Sequence, residues 1–194
     1  MKALVCAVVL VLATLAPDAS AEQTPSALVE DFHAVLIRVM KAEAGFDDRH
    51  ADLMNGVAML FDLPTVARIS VGSTWKELSD PQRQEYILVL HDLVAATYAD
   101  RFVRYNNQTF VTGEVVDGKA GAIVKTNLLR SDGPAVSLDY YFRNGLVFDV
   151  VADGVSDLSL RRVDYNSIIK TEGFPSLLQR LRANTAAYRA ADED

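Results

Sequence analysis

The stretch QTFVTGEVVDGKAGAIVKTNLLRSDGPAVSLDYYFRNGLVFDVVAD, residues 108–153, decides the fold. Segments 108–116, 119–130, 134–143 and 146–153 are rich in Val, Ile, Thr, Tyr and Phe, which suit a pleated, half-buried surface. Between them stand Asp117-Gly118, Ser131-Asp132-Gly133 and Asn144-Gly145. Asn-Gly and Asp-Gly favour two-residue hairpin turns because both central positions need positive φ. The spacing predicts a four-stranded antiparallel meander.

On either side of this block the apolar spacing turns helical. Downstream, FDVVADGVSDLSLRRVDYNSII (148–169) begins as a strand, turns at Asp-Gly-Val-Ser and ends as a helix. Helical spacing covers Ser159 to Thr171 and, after the break Gly173-Phe174-Pro175, Phe174 to Ala190. Upstream, Ser79 is an N-cap, Pro81 lies in the first turn and Gln82 stands at capping-box spacing. Tyr86, Leu90, Leu93, Val94, Tyr98, Phe102 and Tyr105 then form one broad apolar stripe. Three shorter helices precede it: Thr24-Pro25 to about Gly45, Asp47 to Phe61, and Pro64 to Val71. Helices, meander and helices predict an α+β domain, with a curved antiparallel sheet packed against several helices on one face.

The first residues, MKALVCAVVLVLATLAPDASA, combine a short basic start, an apolar run and Ala19-Ser20-Ala21. This is the pattern of a secretory signal cleaved after Ala21, leaving 22–194 as one domain. The run is short for a transmembrane helix. Cys6 lies inside it, so the exported chain lacks cysteine and depends on its core instead of disulfides. With 19 basic and 26 acidic residues the net charge is −7, and no basic block occurs. Nucleic acid is excluded as a partner, because binding it requires clustered Lys and Arg.

Reactive chemistry is sparse. His33, His50 and His91 are widely separated, and His33 and His91 fall in helical patterns that predict partial exposure, so no metal site is expected. No Gly-x-Ser-x-Gly elbow, dinucleotide loop or Walker loop is present, and no cofactor is expected. A conical α+β pocket can nevertheless hold an Asp as general base, and Asp139 and Asp149 are the candidates for an enzyme. Arg161 and Arg162 follow the Asp-Gly-Val-Ser turn as a possible anion-binding end; as a plain surface pair they would match Asp157 and Asp164. The abundant feature is apolar surface, which either closes into core or leaves an elongated cavity for an apolar ligand.

The string GSTWKELSDPQRQEYILVLHDLVAATYADRFVRY (72–105) carries Gly-x-x-Trp, Ser-x-x-Gln-Arg and Thr-Tyr-Ala elements. Residues 149–156 read Asp-Val-Val-x-x-Gly-Val-Ser, followed by Arg and then by Asn166-Ser167-Ile168-Ile169. In this order the elements resemble the MlaC, or toluene-tolerance auxiliary, family of periplasmic phospholipid-binding proteins. FDLPTVARISVG (61–72) further resembles its hopanoid-associated HpnM branch. Where that family often has Trp-Lys-Val ahead of the Asp-Val-Val element, this chain has Gly145-Leu146-Val147-Phe148. The resemblance implies a non-enzymatic periplasmic carrier that shuttles a phospholipid, or a hopanoid- or sterol-like lipid. Its expected partners are an inner-membrane ABC transporter complex and an outer-membrane lipoprotein or porin complex. Trp75, Leu90, Val94, Tyr98, Phe102, Tyr140, Phe142, Phe148 and Val150 are the candidate ligand-binding residues. The rivals are the carboxylate enzyme and an envelope adaptor whose apolar residues are all core.

Overall fold

A computed structural model describes residues 23–192, and the expected signal segment 1–21 lies outside them. Helix α1 (Pro25–Lys41) starts where the Thr24 hydroxyl accepts from the Ala27 N–H at 3.3 Å. Helices α2 (Phe46–Leu60) and α3 (Leu63–Ser70) follow, then a 3₁₀ helix, Gly72–Lys76. Helix α4 (Asp80–Arg101) opens with the expected capping box, Gln82 accepting from the Ser79 N–H at 2.9 Å. Strands β1 (Thr109–Asp117), β2 (Ala122–Leu129), β3 (Val136–Arg143) and β4 (Leu146–Ala152) form the meander. After them come β5 (Val155–Ser156), α5 (Asp157–Glu172) and α6 (Phe174–Asp192).

The sheet has five strands where the sequence predicted four, all antiparallel in the order β1-β2-β3-β4-β5. The fifth strand is two residues long, too short to give a hydrophobic alternation, and is set by its turn. Asp153 and Gly154 have φ of 47° and 81°, nearly matching Asn144 and Gly145 at 50° and 83°. Both are tight hairpin turns with two positive-φ residues. Asp117-Gly118 does not form one. There the chain makes a wider loop closed by the Gly118 N–H on the Gly121 carbonyl at 2.8 Å. A Cβ on Gly121 would stand 2.5 Å from the Phe142 carbonyl oxygen, so only glycine fits.

Register shifts between Thr112 and Val115 in β1, and between Tyr141 and Phe142 in β3, bend the sheet. Its inner face carries Val124, Thr126, Tyr140 and Phe142, all buried. Across that face, α1 packs on β1 and β2, while α3 and α5 pack on β4. A parallel bridge from Phe61 to Val147, with the Asp62 N–H on the Val147 carbonyl at 2.8 Å, fastens the α2–α3 joint to β4.

Helix α4 is the centre of the core. It packs against α2, α3 and α6, and Tyr86, Leu90, Leu93, Ala95, Ala96 and Ala99 are buried around most of its circumference. The alanines let neighbouring backbones approach closely. Buried polar ties hold the helices in place: Ser70 and Tyr86 share a hydroxyl contact at 2.6 Å, and the Asn166 amide donates to the Ser70 carbonyl at 2.9 Å. The Arg49 guanidinium, 3% exposed, donates to the carbonyls of Ala99 and Ala44 and to Asp192, clamping α2, α4 and α6.

Leu90 has no exposed surface and sits where α4 meets its neighbours. Leu90→Ala should therefore cost about 3 kcal/mol, by lost transfer energy plus the cavity left behind. Urea unfolding should show this as a lower midpoint at unchanged slope.

Candidate functional site

Between the inner face of the sheet and helices α3, α4 and α5, the apolar surfaces do not meet. They leave a cavity of about 550 Å³, within the roughly 300–1,000 Å³ range of small-molecule pockets. Val94 and Tyr98 on α4, with Phe102 just past its end, form one wall. Leu138, Tyr140, Phe148 and Val150 form the sheet wall, and Phe61, Leu63 and Val66 the end near the α2–α3 joint. The rim carries Arg101, Arg130 and Asp132, and the half-exposed Val155 and Leu160.

Six of the nine candidate residues line this space: Val94, Tyr98, Phe102, Tyr140, Phe148 and Val150. Trp75, Leu90 and Phe142 do not. Leu90 faces the helix–helix core, because α4 is buried on several sides and its wide stripe serves both core and cavity. Trp75 belongs to the 3₁₀ helix, where its carbonyl accepts from Arg83 at 3.1 Å and its ring lies under that guanidinium. Phe142 lies beyond the β3–β4 bulge, opposite Val147 and beside the Phe61 bridge, at the closed end of the sheet. Leu138 and Ala152 also line the cavity and were open to detection, since strand alternation from Tyr140 and Val150 leads straight to them. Phe61 and Leu63 come from a joint between helices, where no periodicity marks a face.

Aromatic rings run along the walls in sequence. Phe61 lies 6.2 Å from Tyr98, Tyr98 6.0 Å from Phe102, Phe102 6.0 Å from Phe110, and Phe110 stacks on His33 at 4.0 Å. His33 then meets Tyr140, its Nε2 lying 2.9 Å from the hydroxyl. The expectation of a partly exposed His33 is corrected here: it is 4% exposed, because β1 and β3 cover this side of α1. His91 is partly buried as expected and meets the Met54 carbonyl at 2.8 Å. Among the described residues no cluster of His, Cys, Asp or Glu could hold a metal ion.

Both candidate bases are engaged in structural contacts. Asp139 pairs with Lys125 across the strands at 2.9 Å, on the face opposite the cavity. Asp149 accepts from the Leu158 N–H at 3.0 Å and from the Ser156 hydroxyl at 2.6 Å, so it caps α5 from the neighbouring strand. Burial, opposed by these hydrogen bonds, leaves its carboxyl above the usual range. Arg161 is no surface residue. Its side chain is 13% exposed, pairs with Asp157 at 2.5 Å and donates to the Tyr165 hydroxyl at 3.0 Å. Arg162 is exposed, and its carbonyl accepts from Asn166.

An antiparallel bent sheet, a helical layer and an apolar space between them define a cavity-bearing α+β binding protein. The chain belongs to the MlaC family, whose model, described as MlaC protein, matches residues 29–183. A relative is the intermembrane phospholipid transport system binding protein MlaC of Haemophilus influenzae, 26% identical over 125 residues. That match covers 60% of this chain and 58% of the relative. In three dimensions the chain resembles a phospholipid-binding protein from Ralstonia solanacearum solved in complex with a phospholipid. The TM-score is 0.69 at 19% identity, covering 84% of this chain and 98% of the other.

Two outcomes follow from the polar groups. Burial lowers the His33 imidazole from 6.5 to about 4. Between these values the unfolded chain binds a proton that the folded chain does not. The stabilisation is complete above the unfolded value and is lost as pH falls, by about 3 kcal/mol in all. Urea titrations at pH 7, 5.5 and 4 should show that loss, and His33→Gln should flatten it. Asp149 also lines the cavity, and Asp149→Asn, which keeps one acceptor oxygen for the α5 cap, should cost about 1 kcal/mol in urea unfolding.

Proposed function

We propose that the protein is a periplasmic lipid carrier that holds phospholipid hydrocarbon in the cavity between the sheet and α4, and shuttles it between the outer membrane and an inner-membrane ABC transporter. As a member of the MlaC family it is a lipid-binding transport protein and not an enzyme. The observation that carries the reading is the cavity itself, about 550 Å³ with walls of aromatic and branched side chains. Each buried CH₂ contributes about 0.8 kcal/mol, so such a site binds by shape and dryness and needs no reactive group.

The commitment of Asp139 and Asp149 to an ion pair and a helix cap supports the carrier over a carboxylate enzyme. The open space between the layers argues against an adaptor whose apolar residues are all core. Residues 22–194 are read as a single lipid-binding domain that follows an export signal cleaved after Ala21. Val94, Tyr98, Phe102, Tyr140, Phe148 and Val150 are its proposed ligand contacts. A phospholipid is the ligand favoured here, with a hopanoid-like lipid as the second candidate.

Protein purified from a periplasmic fraction without detergent should carry about one phospholipid, seen as a mass difference between native and denatured spectra and identified in an organic extract. The denatured mass should begin at Glu22. A stoichiometric triterpenoid would move the ligand to the hopanoid class. Protein that stays lipid-free after incubation with phospholipid vesicles would overturn the carrier. Tyr98→Glu and Phe102→Glu place a charge in the apolar wall and should each lower the bound lipid at least tenfold.

A further inference from the structure

Three tyrosines are buried in the core, with Tyr98 packed against it, and the three buried hydroxyls have protein partners. Tyr86 meets Ser70, Tyr140 meets His33 and Tyr165 meets Arg161. Tyr98 is the exception: its surroundings raise its pKa through burial and nearby charges, with no hydrogen bond among the contributing groups. Its ring is wedged between Phe32 at 5.1 Å and Phe102 at 6.0 Å, and the residue lines the cavity. The residue is part-buried and its hydroxyl is not sealed in protein, so it faces into the cavity. Once the cavity is filled and dry, a hydroxyl left without a partner there is costly. When a lipid displaces water from this space, only the lipid can provide the missing acceptor.

The helix supplies the depth scale. Arg101 lies three residues beyond Tyr98, on the same face of α4 and about 4.5 Å further along its axis. It is exposed at the cavity rim. Arg130 and Arg161, the other rim and wall arginines, are held by Asp132 and Asp157. Arg101 has no carboxylate within ion-pair distance among the described residues, which leaves it available to an anion. A glycerophospholipid presents a phosphate and then, a few bonds towards the hydrocarbon, its ester carbonyls. That is the order Arg101 and then Tyr98. Arg101, Arg161 and Asp157 all lie near enough to act on Tyr98, but Arg161 is paired with Asp157. The phosphate therefore goes to Arg101 at the rim, and Tyr98 is left for a neutral carbonyl deeper in; a bare polycyclic hydrocarbon would leave the hydroxyl unpaired.

We propose that the Tyr98 hydroxyl donates a hydrogen bond to an ester carbonyl of the bound lipid, one helical turn inside an Arg101 guanidinium that meets the phosphate, so that the cavity selects ester-linked glycerophospholipids. This rests on the carrier reading above and adds the polar group that the cavity recognises within its ligand.

The test offers delipidated protein an equimolar mixture of a diester phosphatidylglycerol and its diether analogue with the same chains. The bound fraction is then extracted and quantified by mass spectrometry. Ether oxygens are poorer acceptors and stand in place of the carbonyls, so the native protein should enrich the diester about five- to tenfold, the worth of one hydrogen bond. Tyr98→Phe should take up the two lipids equally. Arg101→Gln should lower both by the same factor and leave the ratio intact. An unselective native protein, or a Tyr98→Phe protein that keeps the preference, would overturn this inference while leaving the carrier standing. A native protein that takes up neither lipid would overturn both.

Discussion

Helix α4 has to satisfy two environments at once, and the arrangement of the other elements follows from that. Its buried positions are so widely distributed that α2, α3 and α6 must surround it, and its alanines bring them close. The remaining arc, Val94, Tyr98 and Phe102, faces the sheet across the cavity and meets it only at its Phe102 end, on Phe110. The bent strands keep their distance because α1 and the Phe61–Val147 bridge hold the two ends of the sheet against the helices. The cavity is thus a spacing enforced from its margins.

Most of the architecture was legible in the sequence because it rests on local signals. Asn144-Gly145 specified its turn through backbone conformation alone, and Ser79 with Gln82 marked the start of α4 by a contact within one turn. The errors arose where a tertiary neighbour decides. Leu90 and Val94 are one turn apart on the same stripe, and nothing in their spacing says that one meets a helix and the other a cavity. Phe142 and Tyr140 share strand parity, yet a bulge separates them. His33 follows the same rule, since its burial depends on strands that begin some 75 residues later, on the far side of a long stretch of helix.

Most of the charged and polar groups around the cavity are tied to one another, although the buried His33 Nδ1 has no partner. Asp149 ties a strand to the helix that follows it, Arg161 is locked between Asp157 and Tyr165, and His33 shares a contact with Tyr140. Groups used in this way stiffen the walls and have little freedom to take part in chemistry. A site with fixed walls and few unpaired groups distinguishes ligands by shape and by where their polar atoms fall.

The bulge in β1 also affects what happens outside the cavity. β1 is the sheet's free edge, and Val111 and Val115 on it are 42% and 48% exposed. A straight strand with such residues would be a template for another chain to add on. The shift between Thr112 and Val115 interrupts its row of backbone donors and acceptors just there. The irregularity that curves the sheet around the cavity therefore also guards against edge-to-edge aggregation.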